Sequence, residues 1–199
     1  MKDNILSHFK SVDLVMHALA LDTSFYPLHT SDTYFLDLTR SIINQQLSEK
    51  AGATIYNRFL DHFPQKTPTI QLVLNEKDDA LRQVGISYSK ISYIKNVAEY
   101  FNNTVKDTID FMSLSNEEVI HELTKIKGIG KWTAEMFCMF SLGREDIFSI
   151  GDVGLQRAIH MAYAMKQKPI PKDLLRISKK WSPYRTYACR ILWNSLDNK

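Results

Sequence analysis

The sequence predicts an all-α protein. Hydrophobic residues recur every three or four positions along most of the chain, as one face of a helix requires. The clearest series are Ile94, Val97, Ala98 and Phe101, and Leu155, Ala158, Ile159 and Ala162. No segment alternates apolar and polar residues over the length of a half-buried strand, and residues 147–150 fit a short extended connector. This pattern indicates helices throughout.

Glycines and prolines divide the periodic segments into about nine or ten helices. These breaks occur at Pro27, 64–68, Gly85, 128–130, Gly143, Gly151 and 169–171. One predicted helix carries Leu47, Ala51, Ile55 and Phe59, which recur at every fourth position. We expect Ser48 to cap this helix, because its hydroxyl can accept a hydrogen bond from the free N–H groups of a first turn.

Length and composition are those of an ordinary globular protein. The chain has 199 residues, of which 44% are hydrophobic and 24% charged. We expect a single domain, 1–199, made of two helical lobes with a cleft between them. One lobe spans 39–143, and the other combines 1–38 with 144–199. A net charge of +3 and a pI near 8.7 permit nucleic-acid binding without demonstrating it.

Cysteine and histidine usage argues against a metal centre. Cys138 and Cys189 lie in apolar helical contexts, so we expect two buried free thiols and a reducing compartment. Two cysteines exclude a four-cysteine zinc or iron–sulfur site, and the six histidines lack metal-ligand spacing. No signal-peptide pattern and no run of roughly 18 apolar residues is present. We therefore expect a cytoplasmic protein that does not bind membranes.

A glycine hairpin joins two predicted helices near the middle of the chain. An apolar helix end runs into Gly128-Ile129-Gly130, and a second helix begins at once with Lys131. Such a turn can present main-chain N–H groups to a phosphate, and the helix dipole and the lysine add positive potential. A Gly-x-Gly sequence alone fits a plain helix connector equally well.

Four segments in order resemble one known family. They read SIINQQLSEKAGATIYNRF, GISYSKISYIKNVAEYF, LTKIKGIGKWTAEMFCMFSLGREDIFSIGDVGLQRAI and WSPYRTYACRILW, and with the helices between them they cover roughly residues 35 to 195. The chain resembles the helix-hairpin-helix (HhH-GPD) DNA glycosylase superfamily, and within it the alkylpurine, or 3-methyladenine DNA glycosylase II, branch. The resemblance implies a flipped base held in the cleft between the lobes. It also implies the minimal helical form, without the N-terminal β lobe of larger relatives.

Asp152 stands where the family has its catalytic aspartate. It precedes a helix that begins near Val153, so the helix dipole would favour a carboxylate there. Such a carboxylate can stabilise positive charge on a deoxyribose or orient a water molecule. The alternative is that Asp152 only caps the helix. Asp146 and Glu145 are interpreted as solvated loop charges, and Gly151 stands where some relatives have a second acid.

Trp132 occupies the position at which strand-cutting members of the superfamily carry a lysine. An indole cannot form a Schiff base, and Lys131 diverges from that position by about 100° around the helix. The sequence therefore predicts a monofunctional enzyme that uses water and has no lyase activity.

The resemblance also implies an aromatic base pocket. Its wall would be Trp132, Met136 and Trp193, with Phe137 close behind. Electron-rich rings bind a cationic alkylated purine through stacking and cation–π attraction. The alternative for each ring is core packing, and we expect it for Phe137 and Trp181.

Further residues are expected to contact DNA. The predicted contacts are the main-chain N–H groups of Gly128, Gly130 and Lys131, the side chains of Lys90 and Arg185, and Gln46 as the wedge that fills the place of the flipped base. Arg185 could equally pair with an internal carboxylate, and Gln46 could simply cap a helix.

The family hairpin often binds a monovalent cation through main-chain oxygens. The resemblance assigns a structural Na⁺ or K⁺ to the carbonyls of Thr124, Ile126 and Ile129, and we expect no required cofactor. The predicted partner is duplex DNA that contains alkylated bases, with no obligate protein partner. The predicted activity is base excision by hydrolysis that leaves an abasic site. The alternative is a non-catalytic module that binds damaged DNA.

Overall fold

The computed structural model describes residues 1–105 and 109–197. Within these ranges the chain forms twelve α-helices and no β-strand, which confirms the predicted fold class. The helices are α1 Lys2–Val12, α2 Leu14–Leu21, α3 Tyr34–Asn44, α4 Glu49–Asp61, α5 Ile70–Asn75, α6 Asp78–Gln83, α7 Tyr88–Tyr100, α8 Asn116–Thr124, α9 Lys131–Phe140, α10 Val153–Ala162, α11 Pro171–Ser178 and α12 Arg185–Asp197. Short 3-10 segments at Pro64–Lys66 and Lys179–Trp181 and a π-helical segment at Phe101–Val105 complete them.

The chain divides into two compact units. Unit 1 comprises Met1–Thr30 and Cys138–Lys199, and unit 2 comprises Ser31–Phe137. The boundary predicted near Thr39 falls inside α3, which belongs wholly to unit 2.

The number of helices exceeds the predicted nine or ten. One reason is that α1 and α2 are separated at Asp13, where the sequence has neither a glycine nor a proline. Asp13 has an extended backbone (φ −159°) and its side chain accepts a hydrogen bond from Met16 N at 3.2 Å. It therefore ends α1 and caps α2. Two six-residue helices, α5 and α6, are also too short to show a periodic pattern.

Asp13 also organises the core of unit 1. Its Oδ2 accepts hydrogen bonds from the Tyr163 hydroxyl at 2.6 Å and from Trp181 Nε1 at 3.2 Å. Trp181 is fully buried, which confirms its predicted place in the core. Cys138 and Cys189 are buried thiols that form no disulfide, as predicted.

The start of α4 confirms one prediction and corrects another. Ser48 is the N-cap, and its hydroxyl accepts a hydrogen bond from Ala51 N at 3.4 Å. Leu47, by contrast, lies in the turn before the helix and is 39% exposed. Leu47 precedes Ala51 by four positions in the sequence, so its spacing fits the helical series although it lies before the N-cap.

Within the described part of the chain, none of the helices has both the length and the hydrophobicity needed to cross a membrane. In the same residues, no three His, Cys, Asp or Glu side chains cluster as a metal site would require.

Candidate functional site

Asp152 is held in place by two hydrogen-bond donors. It is the N-cap of α10, and its Oδ1 accepts from Leu155 N at 2.7 Å and from Trp193 Nε1 at 3.0 Å. Only 8% of the residue is exposed. The carboxylate lies at the positive end of the helix dipole, and these hydrogen bonds fix its position. Asp152 therefore does cap α10, and the cap fixes the orientation of a buried acid.

Gly154 makes this arrangement possible, and sequence reasoning missed it. A Cβ at this position would lie 3.1 Å from Asp152 Oδ1 and 3.3 Å from Trp193 Cδ1 and Nε1. Glycine therefore leaves room for the indole to approach the carboxylate. The available signal was a glycine in the first turn of a helix, where its backbone entropy is unfavourable.

Phe140 is a second residue that sequence reasoning missed. Its ring lies 6.0 Å from the ring of Trp193 with 33° between the planes, and 52% of the residue is exposed. An exposed ring beside the indole that binds Asp152 offers further apolar surface near the carboxylate.

Asp146 is not the solvated loop charge that the sequence suggested. Arg185 donates to it through Nε at 2.6 Å and Nη2 at 3.0 Å, and Ser182 Oγ donates at 2.7 Å. Burial alone would raise the pKa of Asp146, but the hydrogen bonds from Arg185 and Ser182 outweigh it and hold the pKa below its usual range. Arg185 therefore adopts the alternative left open for it, an internal ion pair.

The hairpin of unit 2 needs glycine at its first position. Gly128 has φ +108°, and a Cβ there would lie 2.3 Å from Cγ of Tyr93. Ile129 N donates to Ile126 O at 3.0 Å, and both isoleucine side chains are buried beneath the turn. The turn is therefore held by the packing of the two isoleucines and by the close approach of Gly128 to Tyr93.

The second glycine of the hairpin faces open space. No atom lies within 4 Å of a Cβ built on Gly130, and its φ is not positive. Lys131 follows as the first residue of α9; its side chain is exposed, and Nζ lies 3.8 Å from Glu135 Oε1. An open glycine, a helix start and an exposed lysine together suit an anionic ligand.

Two side chains tie the hairpin carbonyls to the rest of unit 2. Asn96 Nδ2 donates to Lys127 O at 3.0 Å, and Gln45 Nε2 donates to Gly128 O at 3.3 Å. Neither contact follows from sequence spacing, because each joins positions at least 31 residues apart.

The residues predicted for the base pocket differ in exposure. Trp132 is 44% exposed, Met136 is buried, and both lie on α9. Phe137 is also buried, with edge-on ring contacts to Tyr34 at 5.3 Å and Phe111 at 5.5 Å. The structure therefore favours the core-packing alternative for Phe137.

Gln46 and Lys90 lie in the same region of unit 2. Gln46 is exposed and has φ +59°, in the left-handed region that few residues other than glycine adopt. Lys90 Nζ donates to Ile43 O at 2.9 Å and to Gln45 O at 2.8 Å, and burial lowers its pKa. The ammonium therefore has two main-chain partners that the sequence did not indicate.

Comparison with known proteins identifies the family. The profile described as HhH-GPD superfamily base excision DNA repair protein matches residues 39–183, which include the hairpin and Asp152. This chain belongs to the HhH-GPD superfamily. The resemblance drawn from the four segments is confirmed at that level.

Similar sequences and solved structures place the chain near one branch of the HhH-GPD superfamily. DNA-3-methyladenine glycosylase 1 of Schizosaccharomyces pombe is 33% identical over 161 residues, 80% of this chain and 71% of the relative. The crystal structure of DNA-3-methyladenine glycosidase from Bacillus halodurans is 38% identical, with a TM-score of 0.81 over 96% of this chain and 88% of that one. The Schizosaccharomyces pombe 3-methyladenine DNA glycosylase in complex with abasic DNA is 30% identical, with a TM-score of 0.84 over 96% and 95%.

Proposed function

We propose that this HhH-GPD protein is a monofunctional DNA glycosylase that flips alkylated purines, of the 3-methyladenine and 7-methylguanine type, out of duplex DNA and hydrolyses the N-glycosidic bond. The product is an abasic site, so the reaction initiates base excision repair. The observation that carries the proposal is Asp152, a buried carboxylate fixed by Leu155 N and Trp193 Nε1. The names of the similar proteins, which are 3-methyladenine glycosylases, support the substrate class.

The proposed reaction begins with a base that is already a good leaving group. A purine alkylated at N3 or N7 is cationic, and when the bond from C1′ to the base breaks, the electron pair neutralises the ring. Positive charge then develops on the deoxyribose, where a fixed carboxylate stabilises it. The same carboxylate orients a water molecule for attack on C1′ and accepts its proton.

Aromatic side chains recognise the cationic base. Trp193 presents an indole beside Asp152, and Trp132 presents a half-exposed indole at the start of α9, with Met136 one turn further on. Each stacking or cation–π contact contributes about 0.5–2 kcal/mol. Neutral purines lack the cationic part of this attraction and are excised more slowly.

Trp132 is the residue that supports the proposed absence of lyase activity. Strand cleavage by this superfamily requires an amine that forms a Schiff base with the sugar, and an indole nitrogen cannot do so. The neighbouring Lys131 points in a different direction, because successive residues on a helix diverge by about 100°.

The hairpin binds the DNA backbone. The main-chain N–H groups of Gly128, Gly130 and Lys131 donate to a phosphate, and the dipole of α9 and the Lys131 charge strengthen this contact. Gln46 fills the place that the flipped base leaves in the stack. Its exposed, left-handed position after α3 suits that role.

We also propose that a monovalent cation binds the main-chain oxygens behind the hairpin. Thr124 ends α8, where helix carbonyls lack intrahelical partners, and the carbonyls of Ile126 and Ile129 follow in the turn. Hard cations prefer such oxygen ligands. The ion would stiffen the hairpin and add positive charge near the bound phosphate.

The proposal is tested by incubating the protein with methylated duplex DNA and measuring free 3-methyladenine and 7-methylguanine. The decisive variant is Asp152→Asn, because asparagine caps a helix as well as aspartate does and removes only the charge. We expect the wild type to release both bases and the variant to be slower by about 100- to 1,000-fold, the usual loss of one preorganised electrostatic group.

Three outcomes would contradict parts of the proposal. Release of bases by Asp152→Asn at the wild-type rate would remove the carboxylate from the mechanism. Binding of damaged duplex without any release by the wild type would instead indicate a damage-binding protein. A covalent adduct trapped by borohydride would disprove the absence of lyase activity.

A further inference from the structure

The segment after α3 forms a tight turn of defined type. Leu47 N donates to Asn44 O at 3.1 Å, Gln45 has φ −50° and ψ 129°, and Gln46 has φ +59°. These are the dihedral angles of a type II β-turn, in which the second central residue requires positive φ and is most often glycine. Gln46 therefore occupies a position that a glutamine does not favour by itself.

Lys90 holds this turn from the first turn of α7. Its Nζ donates to Ile43 O at 2.9 Å and to Gln45 O at 2.8 Å. Both carbonyls lie at the end of α3, where a helix leaves acceptors without intrahelical partners. Charge-assisted hydrogen bonds of this kind are stronger than neutral ones. The ammonium is also partly buried, and this burial lowers the pKa of Lys90.

The contact with Gln45 O selects between two turn types. A type I turn would change ψ of the first central residue from about +120° to about −30°, and φ of the second from about +80° to about −90°. That change rotates the peptide between Gln45 and Gln46 and turns the Gln45 carbonyl away from Lys90. The lysine therefore stabilises the form in which Gln46 has positive φ.

The same turn is attached to the hairpin. Gln45 Nε2 donates to Gly128 O at 3.3 Å. Gln45 therefore contacts the Lys90 ammonium through its main-chain carbonyl and the hairpin through its side chain. The direction of the Gln46 side chain is set relative to the hairpin by these two contacts.

We propose that Lys90 is a positioning residue, which fixes the type II turn and thereby orients Gln46 for insertion into the DNA stack, and that it is not a phosphate contact. The inference rests on the proposed function, because it assumes that Gln46 enters the duplex. Lys90 acts on Gln46 only through the main-chain carbonyls that it binds.

The test uses a duplex that contains a tetrahydrofuran abasic analogue beside 2-aminopurine, whose fluorescence rises when its stacking is disturbed. Lys90→Met removes the ammonium and keeps an unbranched apolar stem of similar size. We expect the affinity for this duplex, measured by the fluorescence rise, to fall roughly tenfold, as the loss of the charged hydrogen bond to Gln45 O implies. Gln46→Ala should have a similar effect, and the double variant should be no worse than Gln46→Ala alone.

Lys95→Met is the matched control. Lys95 lies on the same helix, and its Nζ donates to Glu76 O at 2.8 Å and to Asp78 Oδ1 at 2.5 Å, so its replacement also removes two hydrogen bonds of an ammonium, but from a different segment of unit 2. We expect Lys95→Met to lower the melting temperature about as much as Lys90→Met does and to leave the fluorescence response unchanged.

Salt dependence separates positioning from phosphate binding. A lost phosphate contact lowers the slope of log affinity against log salt by about 0.9, whereas a positioning residue leaves the slope unchanged. A lower slope in Lys90→Met, independent effects of Lys90 and Gln46, or no fluorescence rise with the wild type would each overturn the inference. A wild type that raises the fluorescence but releases no methylated base would overturn the proposed function alone.

Discussion

At the scale of single residues, the candidate chemistry depends on how one carboxylate is held. Asp152 Oδ1 accepts one hydrogen bond from its own helix and one from Trp193, 41 residues away in sequence. The position of the acid could be predicted, because a capping residue at a helix start is a local feature. The indole partner, and the reason for a glycine at residue 154, could not be predicted, because both depend on how α10 and α12 pack.

Trp193→Phe tests the role of the indole N–H at this scale. The variant keeps an aromatic ring and loses the donor to Asp152. Because a hydrogen bond to a charged group contributes about 1.5–3 kcal/mol, we expect the single-turnover excision rate to fall about 10- to 100-fold.

Trp181→Phe is the control for this variant. Trp181 also donates its indole N–H to an aspartate of unit 1, Asp13, but within the core. It should lower the melting temperature with little effect on the excision rate. Equal loss of rate in both variants would mean that Trp193 acts only through the stability of unit 1.

At the scale of elements, the hairpin combines one glycine that the fold requires with one that faces open space. Gly128 has positive φ and lies against the ring of Tyr93, whereas Gly130 has neither constraint. The sequence motif predicted the turn but could not distinguish the two glycines, because the distinction arises from α7, which supplies Tyr93.

The pair Gly128→Ala and Gly130→Ala tests this distinction. Gly128→Ala should destabilise the protein by about 1–3 kcal/mol, because it adds backbone strain and a steric clash with Tyr93. Gly130→Ala should leave the melting temperature nearly unchanged and weaken binding to duplex DNA, because its methyl group would lie where a phosphate approaches. Thermal unfolding and DNA titration measure the two effects. A stable Gly130→Ala variant with wild-type DNA affinity would contradict the proposed phosphate contact.

At the scale of the whole molecule, both units bury tyrosine hydroxyls. Burial raises the pKa of Tyr100 in unit 2 and of Tyr187 in unit 1 to about 12, and it also raises the pKa of Tyr163. For Tyr187 and Tyr163, hydrogen bonds to Glu145 and Asp13 act in the same direction. The neutral phenols are therefore stabilised by folding in both units.

This predicts a loss of stability at alkaline pH. Below the ordinary tyrosine pKa of 10.0, folded and unfolded chains both keep these protons. Above it, the unfolded chain releases protons that the folded chain retains, so the free energy of unfolding falls as the pH rises from about 10 to about 12. Melting temperatures across this range, with phenolate absorbance, measure the effect. Tyr187→Phe should make the decline shallower, and Tyr26→Phe, at an exposed position, should not.

The sequence by itself determined the helical fold class, the superfamily, the hairpin and the acid at residue 152. These are encoded locally, in spacing, in caps and in the order of short motifs. Only the tertiary structure decided which charges have internal partners. Arg185 pairs with Asp146, and Lys90 binds two carbonyls at the end of α3. Such contacts join residues distant in the chain, and packing alone determines which of the available partners each side chain meets.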